Sequence, residues 1–133
     1  MVLFIVSLGC LGILLRGSGY ADSREKIRPE DLHRFYQEIN RNSFEGKLPD
    51  VPVRWGNLSR DNAYGITHFD NGVPSSMELD RRTVQSASFA LDVIRHESCH
   101  IATIKEAKRL KEDPHGATFA ACMARIQENE QAD

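Results

Sequence analysis

The chain has 133 residues, of which 41% are hydrophobic and 27% are charged, a composition typical of one globular domain. Its 17 Lys and Arg residues and 19 Asp and Glu residues give a formal net charge of −2. Domains whose main work is to hold nucleic acid phosphates usually carry a basic excess, so this charge balance argues against that class. The composition also excludes a collagen-like or intrinsically disordered chain.

The first fifteen residues contain no charged side chain, and Arg16 ends this apolar segment. A helix that crosses a bilayer needs about 20 apolar residues, so a shorter segment is more typical of the core of a signal peptide. Small residues follow at the positions that a signal peptidase reads, which predicts cleavage before Asp22. No Lys or Arg precedes the apolar segment, so a short hydrophobic anchor or a misassigned start are the alternatives. We therefore expect residues 1–21 to be a signal peptide or anchor and residues 22–133 to form the domain.

Cleavage at that position would remove one Arg and no acidic residue, so the net charge would become −3. A secreted or periplasmic location follows from an export signal, with a cytoplasmic or membrane-anchored location as the alternative. Membrane contact is expected only if the leader is retained. Two cysteines remain after cleavage, Cys99 and Cys122. They can pair in an oxidising compartment, and the sequence leaves open whether they do.

The predicted domain begins with a helix at Pro29, because proline and the acids that follow it suit a first helical turn. Its apolar residues recur at helical spacing: Leu32, Phe35, Tyr36 and Ile39. Alternating apolar residues then predict three strands, at residues 51–55, 63–69 and 76–80. The Asp70-Asn71-Gly72 sequence is a strong signal for a turn between the last two strands.

From about Ser86 the apolar period is again helical, and this second helix extends into the charged segment that ends at Glu112. Asp113-Pro114 ends it, and a last helix is expected at residues 117–128. The predicted fold class is therefore α+β, with an N-terminal helix, a small antiparallel or mixed sheet and two further helices.

His96-Glu97-Ser98-Cys99-His100 is an H-E-x-x-H sequence inside the second predicted helix. Residues four apart lie on one helix face, so both imidazoles can bind a single metal ion, for which zinc is the best match. Glu97 lies about 100° around the helix from His96, beside that ion. There its carboxylate can take a proton from a zinc-bound water and pass it to a leaving amine. The alternative is an amphipathic helix that carries two surface histidines.

A catalytic zinc site needs a third protein ligand and an open position. His115 is the best candidate, because the 14 residues between it and His100 are enough for a turn that brings it back over the ion. Gly116 lets the backbone pass close, and Phe119 can anchor the next helix. The role of Asp113 is open, since it can orient a liganding histidine or cap the following helix. Three glutamates are fallback ligands: Glu106, Glu112 and Glu128.

Three other side chains are possible site residues, but each has a simpler structural interpretation. Cys99 lies about 100° away from the ligand face of its helix, so we expect a small buried residue rather than a ligand. Tyr64 is expected to pack as a strand aromatic, although its phenol can also reach an oxyanion. His68 is expected to be an exposed strand residue, with a role as a transition-state donor as the alternative.

The order of these features resembles the SprT-like zinc metalloprotease domain family, which includes the Spartan and Wss proteases. Residues 40–49 (NRNSFEGKLP) resemble the family's segment after its first helix, and residues 96–100 are similar to its H-E-L-C-H. Residues 113–119 (DPHGATF) resemble its D-x-H-G-x-x-F, which is the most diagnostic part of the match. The resemblance covers about residues 30–126, nearly the whole predicted domain.

The resemblance implies a small zincin-like (minigluzincin) domain with a three- to four-stranded sheet. It implies one Zn²⁺ per chain, bound by His96, His100 and His115, with Glu97 as the general base of a zinc metalloendopeptidase. It also implies that a sheet edge holds an extended protein or peptide substrate above the metal. We expect a monomer.

The chain departs from the family pattern at three points. Ser98 replaces an apolar residue, no C-x-x-C pair follows residue 122, and an export leader is foreign to the DNA-repair members. Nucleic acid is therefore not expected as a partner. Two alternative functions follow from the same residues. One is an intracellular SprT-like protease that acts on DNA-bound proteins, and the other is a non-catalytic, zinc-stabilised module that binds peptides.

Overall fold

The computed structural model describes residues 26–132 and, as backbone only, residues 2–7. In this part of the chain three helices pack with one four-stranded sheet, which confirms the predicted α+β class. The helices are α1 (Pro29–Phe44), α2 (Ala87–Leu110) and α3 (Ala117–Gln131). The strands are β1 (Val2–Ser7), β2 (Val53–Gly56), β3 (Ala63–Asp70) and β4 (Val73–Asp80).

The sheet is mixed and has the strand order β1-β3-β4-β2. The antiparallel strands β3 and β4 form a hairpin, whose turn residues Asn71 and Gly72 have φ angles of 52° and 80°. Two successive positive φ angles are typical of a type I′ turn, so the turn that the sequence predicted here is confirmed. Strand β2 pairs in parallel with β4 at one edge of the sheet. Pro52, which precedes this strand, lacks a backbone N–H, and an edge position tolerates that loss.

The other edge of the sheet is β1, which pairs antiparallel with β3 and includes part of the predicted leader. The rest of that leader and the predicted cleavage position before Asp22 lie outside the described residues, so the signal peptide stays a prediction. Among the residues that are described, no helix is long and apolar enough to cross a membrane.

The hydrophobic core lies between the sheet and the helices. The residues predicted for the apolar face of α1 are all buried in it, and the Tyr36 hydroxyl donates a hydrogen bond to the Pro49 carbonyl oxygen at 2.6 Å. Helix α2 contacts α1, β3, β4 and α3, so it is the central element of the fold. Any side chain on α2 that faces α3 or β3 is therefore held in a packed environment.

The ends of α2 follow from local chemistry. The side chain of Ser86 accepts a hydrogen bond from the Phe89 amide at 3.1 Å and caps the N-terminus. Lys111 has a left-handed conformation (φ 56°) and ends the helix one residue after Leu110. The connecting segment that follows, residues 111–116, reverses the chain and places α3 against α2.

Candidate metal centre

The three histidines of the predicted zinc site converge on one point. His96 and His100 lie on one face of α2, and His115 lies in the connection between α2 and α3. Their Nε2 atoms are 3.1 Å apart for His96 and His115, 3.1 Å for His96 and His100, and 3.0 Å for His100 and His115. Zn–N bonds of 2.0–2.1 Å in a tetrahedron place ligand nitrogens about 3.3 Å apart, so the observed triangle fits such an ion closely. These three side chains can hold a metal ion.

The electrostatics of the cluster keep its imidazoles neutral. Burial, together with the neighbouring His115, lowers the pKa of His96 to about 3. Burial and the two other histidines lower the pKa of His100 to about 2. Burial also lowers the pKa of His115, although the nearby Asp113 opposes the shift. Neutral imidazole is the form that binds metals, so the donor set matches zinc.

Phe119 packs against all three histidines from the first turn of α3. Its ring stacks on His100 with a centroid distance of 4.4 Å and an interplanar angle of 24°. The centroids of His96 and His115 lie 4.7 Å and 5.0 Å from it. The buried ring therefore anchors α3 to the histidine cluster, as the sequence predicted.

The connecting segment that carries His115 is held by two carboxylates. The Asp113 carboxylate accepts a hydrogen bond from the backbone N–H of His115 at 3.0 Å. Glu112 caps α3, because its carboxylate accepts from the Thr118 amide at 2.9 Å. A Cβ atom at Gly116 would lie 2.9 Å from the Asp113 carbonyl oxygen, so only glycine fits this close approach. Asp113 thus acts through the backbone of His115, and the cap that the sequence assigned to it as one option belongs to Glu112.

Glu97 lies beside the histidines on α2 and is completely buried. The Thr67 hydroxyl of β3 donates a hydrogen bond to its Oε2 atom at 2.6 Å. Its Oε1 atom has no hydrogen-bond partner among the described residues. Burial raises the pKa of Glu97 to about 8, although hydrogen bonds from Thr67 oppose the shift. A buried carboxyl with a raised pKa and one unpaired oxygen has the properties of a general base and acid near neutral pH.

Sequence reasoning missed the contribution of Thr67, on β3, to this site. Thr67 lies 30 residues before Glu97, and a threonine in the middle of a strand has no sequence signal that marks it as a partner of a distant carboxylate. The available signal was Gly65, two residues earlier and so on the same strand face. A glycine inside a strand often marks a close backbone approach.

Among the described residues, the candidates Glu106, Glu128 and His68 do not belong to the histidine cluster. Glu106 is exposed and pairs with Arg109, and Glu128 is exposed on α3. The His68 Nε2 atom is 3.5 Å from the Glu78 carboxylate, with about a quarter of the side chain exposed. Tyr64 packs edge-on against Phe89 at a centroid distance of 5.0 Å, which is the structural role expected for it.

A disulfide joins Cys99 of α2 to Cys122 of α3, with a Cα–Cα distance of 5.9 Å. Cys99 is completely buried, as expected, and it pairs with sulfur rather than joining the histidine cluster. Its neighbour Ser98 is also buried, and its hydroxyl donates to the Ile94 carbonyl oxygen at 2.7 Å, so the serine at this usually apolar position is satisfied within the helix. The disulfide therefore links α2, which carries two of the clustered histidines, covalently to α3, whose Phe119 packs against them.

An H-E-x-x-H helix, a third histidine from the following segment and a small α+β fold together define a metallopeptidase-like domain of the zincin type. The SprT-like family model matches residues 32–132 of the chain. The protein therefore belongs to the SprT-like family, and the resemblance read from the sequence motifs is confirmed.

Proposed function

We propose that the protein is a zinc-dependent metallopeptidase that hydrolyses peptide bonds. The observation that carries the proposal is the convergence of three neutral imidazole nitrogens, within 3.1 Å of one another, beside Glu97. Two of these imidazoles lie on the helix that holds Glu97, and the third lies in the segment that follows it. Bound zinc would supply a Lewis acid and a coordinated water of lowered pKa. Family membership supports the same class of activity.

Each residue of the site has a distinct role in this proposal. His96, His100 and His115 would hold the ion, as the three protein ligands that a catalytic zinc site needs. Glu97 accepts the proton of the attacking water and then transfers it to the nitrogen of the leaving amine, so its carboxyl is unchanged after one turnover. Its unpaired Oε1 atom is the acceptor for that proton.

An extended protein or peptide is the proposed substrate. The close contact of β3 with Glu97 brings a sheet strand directly beside the general base. Strands at a sheet edge bind extended chains through backbone hydrogen bonds, and β3 pairs on its outer side with an extended segment of this same chain, β1. A substrate bound on that side of β3 would take the place of β1.

The mechanism is tested by zinc content and by cleavage of a denatured protein such as casein, both measured on the full chain. Glu97→Gln should keep one zinc per chain and lose activity by roughly 10²–10⁴-fold, since the base is gone and the ligands remain. His115→Ala should lose zinc as well as activity. The matched control is His33→Ala, a partly exposed histidine of α1 that contacts Asp50, which should change neither property. Activity that survives Glu97→Gln would show that the mechanism is wrong.

We further propose that the protein is exported and acts as a monomer outside the cytoplasm. The apolar leader and the Cys99–Cys122 disulfide support this location, because disulfides persist mainly in oxidising compartments. Mass spectrometry of protein purified from its native host should find an N-terminus at Asp22 and no free thiol at Cys99. An unprocessed chain with reduced cysteines would favour the intracellular alternative, a protease acting on DNA-bound proteins. Zinc binding with no cleavage above a zinc-free control would favour the peptide-binding module.

A further inference from the structure

The carboxylate of Glu97 is held from one side by a strand that the H-E-x-x-H motif does not include. We propose that Thr67 is the positioning residue for Glu97: its hydroxyl holds Oε2 and thereby directs Oε1 toward the attacking water. This inference rests on the proposed role of Glu97 as general base. It adds a residue of β3 to a site that the sequence motifs place entirely on α2 and the segment after it.

The hydrogen bond itself has the properties that such a role requires. Thr67 and Glu97 are both completely buried, so water does not compete for the contact. The Oγ1–Oε2 distance of 2.6 Å is short for an O–H···O hydrogen bond, so Oε2 is held closely. Buried carboxylate oxygens are normally all hydrogen-bonded, yet Oε1 lacks a partner among the described residues. One oxygen is thus fixed, and the other is left available for chemistry.

Gly65 makes the contact geometrically possible. A Cβ atom at this position would lie 2.5 Å from Cγ1 of Val93 and 3.3 Å from Cγ of Glu97, so β3 approaches α2 more closely than a larger residue would allow. Residues two apart in a strand share a face, so the same approach brings Thr67 against Glu97. The two β3 residues therefore act together, Gly65 by its lack of a side chain and Thr67 by its hydroxyl.

The choice of threonine also restricts the geometry. A β-branched side chain is stiff at χ1, so the Thr67 hydroxyl is held in one direction when its methyl group is packed. Serine offers the same donor with more rotamer freedom, and valine offers the same shape with no donor. A comparison of serine and valine at this position therefore distinguishes the effect of the hydrogen bond from the effect of side-chain packing.

The test compares Thr67→Val with Thr67→Ser in the zinc-loaded full chain. Thr67→Val should lower kcat roughly 10- to 100-fold, the usual range for residues that orient a catalytic or ligand group, with KM and zinc content unchanged. Thr67→Ser should restore most of kcat. The matched control is Thr103→Val, another buried threonine, whose hydroxyl donates to the Cys99 carbonyl oxygen instead of to Glu97. This control should leave kcat near the wild-type value.

Several results would overturn the proposal. It is wrong if kcat is the same for Thr67→Val and Thr67→Ser, or if Thr103→Val lowers kcat as much as Thr67→Val does. Loss of zinc together with activity in Thr67→Val would show that Thr67 supports the ligands rather than the base. Crystal structures of the zinc-loaded variants give a readout independent of activity: the Glu97 carboxylate should turn away in Thr67→Val and stay in place in Thr67→Ser. An unmoved Glu97 carboxylate in Thr67→Val would refute the positioning role, and this readout does not depend on activity. Inactivity of the wild-type protein would instead refute the proposed function. If Thr67→Val does not fold, the same comparison is made with Thr67→Ala, with the same expected and contradicting results.

Discussion

The disulfide between α2 and α3 predicts a large and reversible contribution to stability. Cys99 and Cys122 are 23 residues apart in the sequence, so the bond closes a loop of that size in the unfolded chain. The chain-entropy relation for such a loop gives about 3 kcal/mol of stabilisation at 25 °C. Cys122→Ala should therefore lower the free energy of unfolding by about this amount. The Cys122 side chain is buried, but alanine removes only its sulfur atom, so the loss of packing adds a smaller amount.

Urea unfolding of the full chain, with and without dithiothreitol, measures this contribution. All variants should carry Cys10→Ala, because the third cysteine of the chain can otherwise exchange with the pair. Reduction should destabilise the protein that retains Cys99 and Cys122 by about 3 kcal/mol, and it should have no effect on the Cys122→Ala variant. The variant without reductant should match the reduced parent protein.

The disulfide should also contribute to zinc affinity. It fixes α3, and the first turn of α3 carries the Phe119 ring that packs against all three histidines. Cys122→Ala should therefore bind zinc more weakly than the oxidised parent protein. Competition with a chromophoric chelator measures this in the absence of dithiothreitol, which itself binds zinc. Equal unfolding free energies with and without dithiothreitol, or two free thiols in the oxidised protein, would refute the reasoning.

Two further predictions concern the connecting segment and the buried carboxyl. Gly116→Ala should lower zinc affinity about tenfold or more. A Cβ atom there would lie 2.9 Å from the Asp113 carbonyl oxygen and would displace the segment that carries His115. The same zinc affinity in wild type and variant, measured by chelator competition, would contradict this prediction. In metal-free protein, burial raises the pKa of folded Glu97 from its ordinary value of 4.5 to about 8. Between these two pH values the folded chain therefore binds more protons than the unfolded chain. Relative to Glu97→Gln, the free energy of unfolding of EDTA-treated wild type should therefore fall as the pH rises over this range, by up to about 1.4 kcal/mol per pH unit. Urea denaturation at several pH values measures this difference. The prediction is contradicted if the unfolding free energies of the two proteins change in parallel with pH.

Much of the fold could be predicted because its signals are local. The helical spacing of apolar residues that predicted α1 depends only on neighbours a few positions apart, and so does the turn at Asn71-Gly72. The same holds for His96 and His100, since a helix alone places residues four apart on one face. Predicted element boundaries differ from the observed ones by a few residues, as for β2, which begins at Val53 rather than residue 51.

The features that were missed depend on contacts between distant parts of the chain. The parallel pairing of β2 with β4 and the contact of Thr67 with Glu97 arise only when the sheet packs on α2. The pairing of Cys99 with Cys122 likewise requires α3 to fold back, which the sequence left open. The contact of Asp113 is local, but the sequence analysis considered only two roles for its carboxylate, to orient a histidine ring or to cap the following helix. The observed contact is with the backbone N–H of His115.

The side chains that hold Glu97 and those that hold His115 come from different elements of the fold. Loss of kcat and loss of zinc affinity should therefore be separable by mutation. Helix α2 carries Glu97 and two of the three clustered histidines. Strand β3 contacts Glu97 through Thr67, whereas residues 111–116 and α3 hold His115. Changes on β3 should therefore reduce kcat while zinc is retained, and changes in the connecting segment or at the disulfide should reduce zinc affinity first. Helix α2 packs against both β3 and α3. A substitution that disturbs only one of these two contacts need not disturb the other. A β3 variant that lost zinc, or a segment variant that kept full zinc affinity and lost only kcat, would contradict this division.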